Sequence, residues 1–83
     1  MNERERIKAI DSLVDDYVKA GCIDNARETA SLGGRNLTTK EIDSLVYANL
    51  KKGWLITARK AVKLGASQEA IDSLIKASTR PAI

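Results

Sequence analysis

The chain has no histidine and no phenylalanine, and only one cysteine and one proline among its 83 residues. Without histidine, the commonest general base and the usual activating partner of a cysteine nucleophile are missing. Cys22 can form no internal disulfide, and it cannot by itself supply the ligand cluster that a zinc site needs. The only adjacent carboxylates, Asp15 and Asp16, would point about 100° apart on a helix. We therefore expect no catalysis, no cofactor and no metal site.

Long apolar runs are also missing, since no run exceeds four residues. Nothing in the sequence therefore predicts a membrane-spanning helix, and we expect no membrane partner. The N-terminal segment is charged from its third residue and lacks the apolar core of a secretory signal. The expected location is the cytoplasm, which a single unpaired cysteine also fits.

The composition that remains is that of a folded helical domain, with 43% hydrophobic and 30% charged residues. Aromatic residues make up only 4%, so the core must be built from Ile, Leu, Val and Ala. The formal net charge is +3, and the sign is uneven along the chain. Residues 1–34 are net acidic and residues 35–83 net basic, which makes the second half the better candidate for an anionic partner.

A repeat dominates the sequence. The tetrapeptide Ile-Asp-Ser-Leu occurs three times, starting at Ile10, Ile42 and Ile71. Residues 10–33 and 42–65 are identical at eleven of 24 positions without a gap. Periods of about 30 residues are typical of stacked helical hairpins, in which each hairpin covers a face that its neighbour leaves open.

Local signals place the helix ends within each copy. Glycines follow the apolar stripes at helix C-termini, and Thr38 with Glu41 forms the pattern of a capping box. Ser67 is the expected N-cap of the last helix, which Arg80-Pro81 should close. The sequence thus predicts an all-α fold of five helices, a short right-handed helical-hairpin array. Its parts are hairpin 1 at about 3–33, hairpin 2 at about 38–65 and a C-terminal capping helix at about 67–79.

The segment DSLVDDYVKAGCIDNAR at 11–27 resembles a pentatricopeptide repeat, within the broader tetratricopeptide-like group, and DSLVYANLKKGWLITAR at 43–59 fits the same frame. The resemblance implies that the first helix of each hairpin lines a concave surface. It also implies that Asp11, Asp43 and Asp72 match one of the two base-reading positions of pentatricopeptide proteins, where the family usually has Asn, Ser or Thr. Three carboxylates there would repel phosphate. An RNA ligand is therefore the second choice.

The strip along the first helices is the candidate partner-binding surface. The alternative is a solvated face with the ion pairs Lys8–Asp11, Asp15–Lys19 and Lys40–Asp43. Tyr47 favours binding, because it is an aromatic residue among charges. The predicted partner-binding residues are Asp11, Asp15, Lys40, Asp43, Tyr47, Lys51 and Asp72.

A second candidate is a basic cluster in hairpin 2, which either binds phosphate or only aids solubility. It consists of Lys52, Arg59, Lys60 and Lys63, with Lys51 beside it. Nearby, Trp54 is either a partner anchor or a residue packed over the turn between the hairpin's two helices. Of these two alternatives for Trp54, we favour packing over the turn. We interpret Cys22 as a small buried hydrophobic residue.

The leading functional hypothesis is a non-catalytic module that holds a basic or amphipathic segment of a protein or peptide partner. The alternative is a small pentatricopeptide-like protein that binds single-stranded RNA. The apolar residues Ala70, Ile71, Leu74, Ile75 and Ala77 also predict a weak homodimer through the last helix. If the tail Pro81-Ala82-Ile83 instead folds back over that helix, the protein is a monomer.

Overall fold

A computed structural model describes residues 1–79, and it contains five α-helices and no β-strand in that range. The helices are α1 (Glu3–Ala20), α2 (Ile23–Leu32), α3 (Thr39–Lys51), α4 (Leu55–Val62) and α5 (Gln68–Ser78). The all-α prediction is confirmed. The expected helix stop at Arg80-Pro81 lies outside the described residues. Helix α4 ends at Val62, and a turn at residues 63–65 completes the predicted range of hairpin 2.

The helix ends follow from capping residues. Gly21 ends α1 with a φ of 78°, a left-handed conformation that glycine adopts without the clash of a Cβ. At the start of α3, the Glu41 N–H donates to Thr38 Oγ1 at 3.1 Å and the Thr38 N–H donates to Glu41 Oε1 at 2.9 Å. This is the predicted capping box. Ser67 caps α5, accepting from the Ala70 N–H at 3.2 Å.

Helix α3 is the centre of the fold. It packs against α1, α4 and α5, while α1 also packs on α2 and α4 on α5. The helices α1, α3 and α5 therefore lie side by side, with α3 in the middle. The core is aliphatic, as the composition predicts, and alanines on α2 and α4 let neighbouring helices approach closely. It includes Val14, Val18, Ile23, Ala26, Ala30, Leu45, Val46, Ala61 and Ala70.

The apolar strip on α5 is mostly covered. Ala70 is fully buried and Leu74 is only 7% exposed, because α3 and α4 pack over them. Only Ile75 remains as a large exposed apolar residue on this helix. The expectation that the apolar residues of α5 form a broad uncovered strip is therefore wrong. The tail at 81–83 lies outside the described residues. Within residues 1–79, no helix combines the length and the apolar character that crossing a bilayer requires.

Candidate functional site

Two of the repeated aspartates face the connectors between helices. Asp11 Oδ1 accepts from Arg35 Nε at 3.3 Å and from Arg35 Nη2 at 3.2 Å. Asp43 Oδ1 accepts from the backbone N–H of Ser67 at 2.8 Å. Both contacts join residues 24 apart, from the first helix of one copy to the chain that enters the next. These carboxylates are therefore engaged within the chain, and their predicted role in partner binding stays a prediction.

The expected intrahelical ion pairs form only in part. Asp15 and Lys19 pair at 2.9 Å, and this hydrogen bond raises the pKa of the exposed Lys19 ammonium. Among residues 1–79, Lys8 forms no ion pair with Asp11, and Lys40 forms none with Asp43. Those two predictions are wrong because both aspartates turn toward the connectors.

Arg35 ties α1 to the start of α3. Its Nη1 donates to Glu41 Oε1 at 2.8 Å and its Nη2 to Glu41 Oε2 at 3.1 Å, while Asp11 binds the other edge of the guanidinium. The hydrogen bond to Glu41 raises the pKa of Arg35, and Asp11 adds to the effect. In return, Arg35 lowers the pKa of the Glu41 carboxyl, with help from the backbone N–H of Thr38. The contact is planar and bidentate, which fixes orientation as well as charge.

The other end of the α1–α3 contact is held by polar side chains of α3 and of the turn after it. Asn49 is fully buried, and its Nδ2 donates to Gly21 O at 3.2 Å and to Leu45 O at 2.8 Å. Lys52 Nζ donates to Ala20 O at 2.7 Å. The carbonyls that end α1 are thus capped by the second hairpin. Asn49 Oδ1 has no hydrogen-bond partner within the described residues.

The surface that remains free on α1, α3 and α5 we call the A-helix face. On each helix its members follow the spacing i, i+4, i+7, so they form one stripe, and the three stripes lie side by side. All are exposed except Ser73, which is half-buried, and they include five lysines and two carboxylates. The members are Lys8, Ser12, Asp15 and Lys19 on α1, Lys40, Ser44, Tyr47 and Lys51 on α3, and Glu69, Ser73 and Lys76 on α5.

Of the predicted partner-binding residues, Asp15, Lys40, Tyr47 and Lys51 share the A-helix face. Tyr47 is 41% exposed in its middle stripe. Asp72 is exposed on α5 and accepts from the Gln68 side chain at 3.0 Å. Sequence reasoning missed the serines of this face. The sequence could have identified them, because the serine of each Ile-Asp-Ser-Leu copy lies four residues after a charged residue of the same stripe, which places both on one side of the helix.

The predicted phosphate-binding cluster divides into separate parts. Lys60 pairs with Asp24 at 3.0 Å, so it is partly neutralised. Lys52 binds Ala20 O, and its Nζ lies 4.6 Å from the ring centre of Trp54. Arg59 and Lys63 make no ion pair within residues 1–79, and they adjoin Ile56, which is 85% exposed. Of the four predicted cations, Lys60 is therefore paired with a carboxylate and Lys52 is held by a backbone carbonyl, which leaves Arg59 on α4 and Lys63 just after it.

Trp54 is half exposed at 51%, beside a shallow apolar depression at the start of α4. The ammonium of Lys52 covers one side of its ring, which is a cation–π contact. The expected packing over the turn is thus only partial. Cys22 is half-buried and is a free thiol.

A polar groove of about 600 Å³ lies away from the A-helix face, between α2, the connector after it and the end of α4. It holds charges of both signs, and its Arg35 is already bound by two carboxylates. Its lining residues include Arg27, Glu28, Ser31, Arg35, Asn36 and Leu37. No group of three or more potential metal ligands occurs within residues 1–79.

Comparison with protein-family models, with curated proteins and with solved structures finds no match for this chain.

Proposed function

We propose that the chain is a short helical-hairpin array that acts as a non-catalytic binding module. Its A-helix face would hold an extended acidic segment of a protein partner. The array part rests on the sequence repeat and on the equivalent aspartates Asp11 and Asp43, each of which binds the connector that leads to the next copy. Such arrays present the side-by-side first helices of their hairpins as an extended surface.

The sign of the charge on the A-helix face carries the proposal. The sequence alone favours a basic or amphipathic partner, because it places Asp11 and Asp43 in the strip. Both carboxylates are bound to the connectors, so the face keeps five lysines against Asp15 and Glu69, and Lys19 is paired with Asp15. An acidic segment complements this charge, and the charge would speed its association.

Single-stranded RNA is the second candidate, and Tyr47 supports it. The ring is exposed between Lys40 and Lys51, so a base could stack on it while the lysines contact phosphates. The repulsion expected from three aspartates is also reduced, because two of them are engaged in hydrogen bonds. The face has only one aromatic residue, which limits stacking to a single base, and we therefore place RNA second.

Fluorescence anisotropy separates the two candidates. The probes are a labelled peptide rich in Glu and Asp and a random single-stranded RNA, each titrated with protein at about 0.05 and 0.2 M salt. The acidic-segment proposal predicts micromolar binding of the peptide and much weaker binding of the RNA. RNA binding that is tight and falls steeply with salt, without peptide binding, would support the second candidate. Binding of neither probe at high micromolar protein would refute both.

A matched pair of variants locates the site. Lys40→Glu with Lys51→Glu reverses two charges on the A-helix face, and we expect at least a tenfold loss of peptide affinity, about 1.4 kcal/mol. Arg59→Glu with Lys63→Glu makes the same charge change on α4 and should alter affinity far less. An equal loss in both double variants would mean that net charge, not the A-helix face, drives binding.

A further inference from the structure

One position of the repeat is buried in two copies and exposed in the third. Val14 on α1 and Val46 on α3 are both 0% exposed, whereas the equivalent Ile75 on α5 is 51% exposed. The helices that carry the first two are each followed in the chain by a helix that packs on them, α2 on α1 and α4 on α3. We call this side of each A helix its outgoing side. On α5 the outgoing side has no such cover among the described residues.

The opposite side shows the reverse pattern. Leu45 on α3 and Leu74 on α5 are 0% and 7% exposed, whereas the equivalent Leu13 on α1 is 43% exposed. Leu45 lies on α3, which packs against α1, and Leu74 lies on α5, which packs against α3 and α4. We call this side the incoming side. On α1 the incoming side is open.

The two open sides are the two halves of an interface that the chain forms twice internally. Since α1 packs on α3 and α3 on α5, the repeat pairs the outgoing side of α1 with the incoming side of α3, and the outgoing side of α3 with the incoming side of α5. The open halves keep the same residue types, a β-branched residue at one and leucine at the other. The open side of α5 thus corresponds to the side that α1 presents to α3, and the open side of α1 corresponds to the side that α5 presents to α3.

The polar groups of the two open sides can be compared in the same register. Asp11 and Asp43 bind the chain that enters the next copy, and Asp72 holds the same repeat position, exposed on α5. At the start of α1, Arg6 aligns with the cap Thr38 and Glu3 aligns with Arg35, and Arg4 and Glu5 lie between them. The next molecule's α1 would therefore present charges of both signs to Asp72, so the apolar residues carry the contact.

We propose that the outgoing side of α5 in one molecule packs against the incoming side of α1 in a second copy, head to tail. The proposal rests on the hairpin-array part of the proposed function. The contact is heterologous, so it can add further copies in a row rather than close at a dimer. It would also extend the A-helix face across molecules. The isologous α5 dimer expected from the sequence is the alternative that the variants below distinguish.

The apolar surface involved is small, so the association should be weak, with a dissociation constant of about 0.1–1 mM. Sedimentation velocity of the full chain at rising concentration tests it. The weight-average mass of the wild type should rise and pass the dimer value. A single monomeric species up to about 1 mM would overturn the proposal.

Two single variants and their mixture identify the geometry. Leu13→Glu should prevent association through the incoming side of α1, and Ile75→Glu should prevent it through the outgoing side of α5. Each variant alone should therefore be monomeric. Mixed at equal amounts, they should form a heterodimer and nothing larger, because one intact side of each kind remains. Ile56→Glu replaces an exposed apolar residue on α4, outside both sides, and should associate as the wild type does.

A mixture that stays monomeric would overturn the head-to-tail contact, as would a dimer that Leu13→Glu retains and Ile75→Glu loses. Helix content by circular dichroism checks folding, and Leu13→Ala with Ile75→Ala replaces the pair if either glutamate variant unfolds. None of these substitutions touches the A-helix face, so peptide binding should be unchanged in them. Loss of association and failure of the proposed function are thereby measured separately.

Discussion

Asn49 is the buried polar residue on which the α1–α3 contact depends most. It is fully buried, and its Nδ2 is the only hydrogen-bond donor to Gly21 O within the described residues. Asn49→Ala leaves that carbonyl without a partner, which costs about 1–3 kcal/mol, and a cavity adds about 1 kcal/mol. Removing the buried Oδ1, which has no hydrogen-bond partner, offsets about 1 kcal/mol of this loss of stability. We expect a net loss of about 1–3 kcal/mol.

That loss is large for a chain of this size, whose total stability should be about 4–12 kcal/mol. Urea denaturation followed by circular dichroism measures it, and each kcal/mol should lower Tm by about 4–8 °C. Asn25→Ala is the matched control, because Asn25 is exposed on α2 and its side chain makes no hydrogen bond within residues 1–79. It should change stability by less than about 0.5 kcal/mol.

Asn49→Asp tests the direction of the hydrogen bonds as well as burial. The carboxyl oxygen in the place of Nδ2 would face both Gly21 O and Leu45 O. Burial and these carbonyls disfavour the ionised form, so they raise the pKa of the folded Asp above the unfolded value of about 3.9. A raised pKa favours folding while the group is protonated, so the variant loses stability as pH rises above about 4. We expect a larger deficit at pH 7 than at pH 4. An equal deficit at both would refute the orientation and burial of this amide.

Three further predictions concern the helix ends and the connector. Arg35→Met should lower the free energy of unfolding by about 1–2 kcal/mol near neutral pH, because Glu41 loses its bidentate partner and Asp11 loses the same guanidinium. Since the pKa of Glu41 is lowered in the folded state, this contribution is present above the unfolded value of about 4.3 and is lost as pH falls through the folded value. The urea midpoints of wild type and variant should therefore converge in acid, and a constant gap would contradict the ion pair. Gly21→Ala should lower the free energy of unfolding by about 1 kcal/mol more than Gly53→Ala does. Both glycines have a positive φ, of 78° and 76°, but only a Cβ at position 21 would meet Asn49, at 3.2 Å. Equal losses of stability in urea denaturation would contradict the close approach. Trp54→Leu should lower Tm by less than about 4 °C, since the ring is half exposed, and a drop above about 10 °C would show that the ring contributes to the core.

The helices and their ends could be predicted because their signals are local. Thr38 with Glu41 and the glycine after α1 each specify a helix end within a few residues, and the structure has both features. The core is aliphatic as the composition predicts. The repeat also placed the equivalent residues of the copies on equivalent helices.

The orientation of the repeated aspartates could not be predicted. Asp11 lies on the flank of the α1 stripe, and helical spacing does not say whether a flanking residue meets solvent or an incoming connector. The decisive partner, Arg35, is in an irregular segment that has no counterpart in the second connector. Asn49 is a related case, because its polarity suggests exposure and its alignment with Tyr17 gives no hint of a buried carbonyl opposite it.

The Lys52 ammonium bridges two parts of the molecule that are far apart in sequence, the last carbonyl of α1 and the single indole at the start of α4. The protein therefore carries an intrinsic spectroscopic reporter at its internal hairpin–hairpin junction. When α1 separates from α3, Lys52 loses its carbonyl partner, so its ammonium is no longer held at a fixed place beside the indole, while Trp54 itself stays on the second hairpin. Trp54 fluorescence should thus change when the two hairpins separate, before helix content falls. Comparing the fluorescence with helix content therefore distinguishes separation of the hairpins from melting of either hairpin.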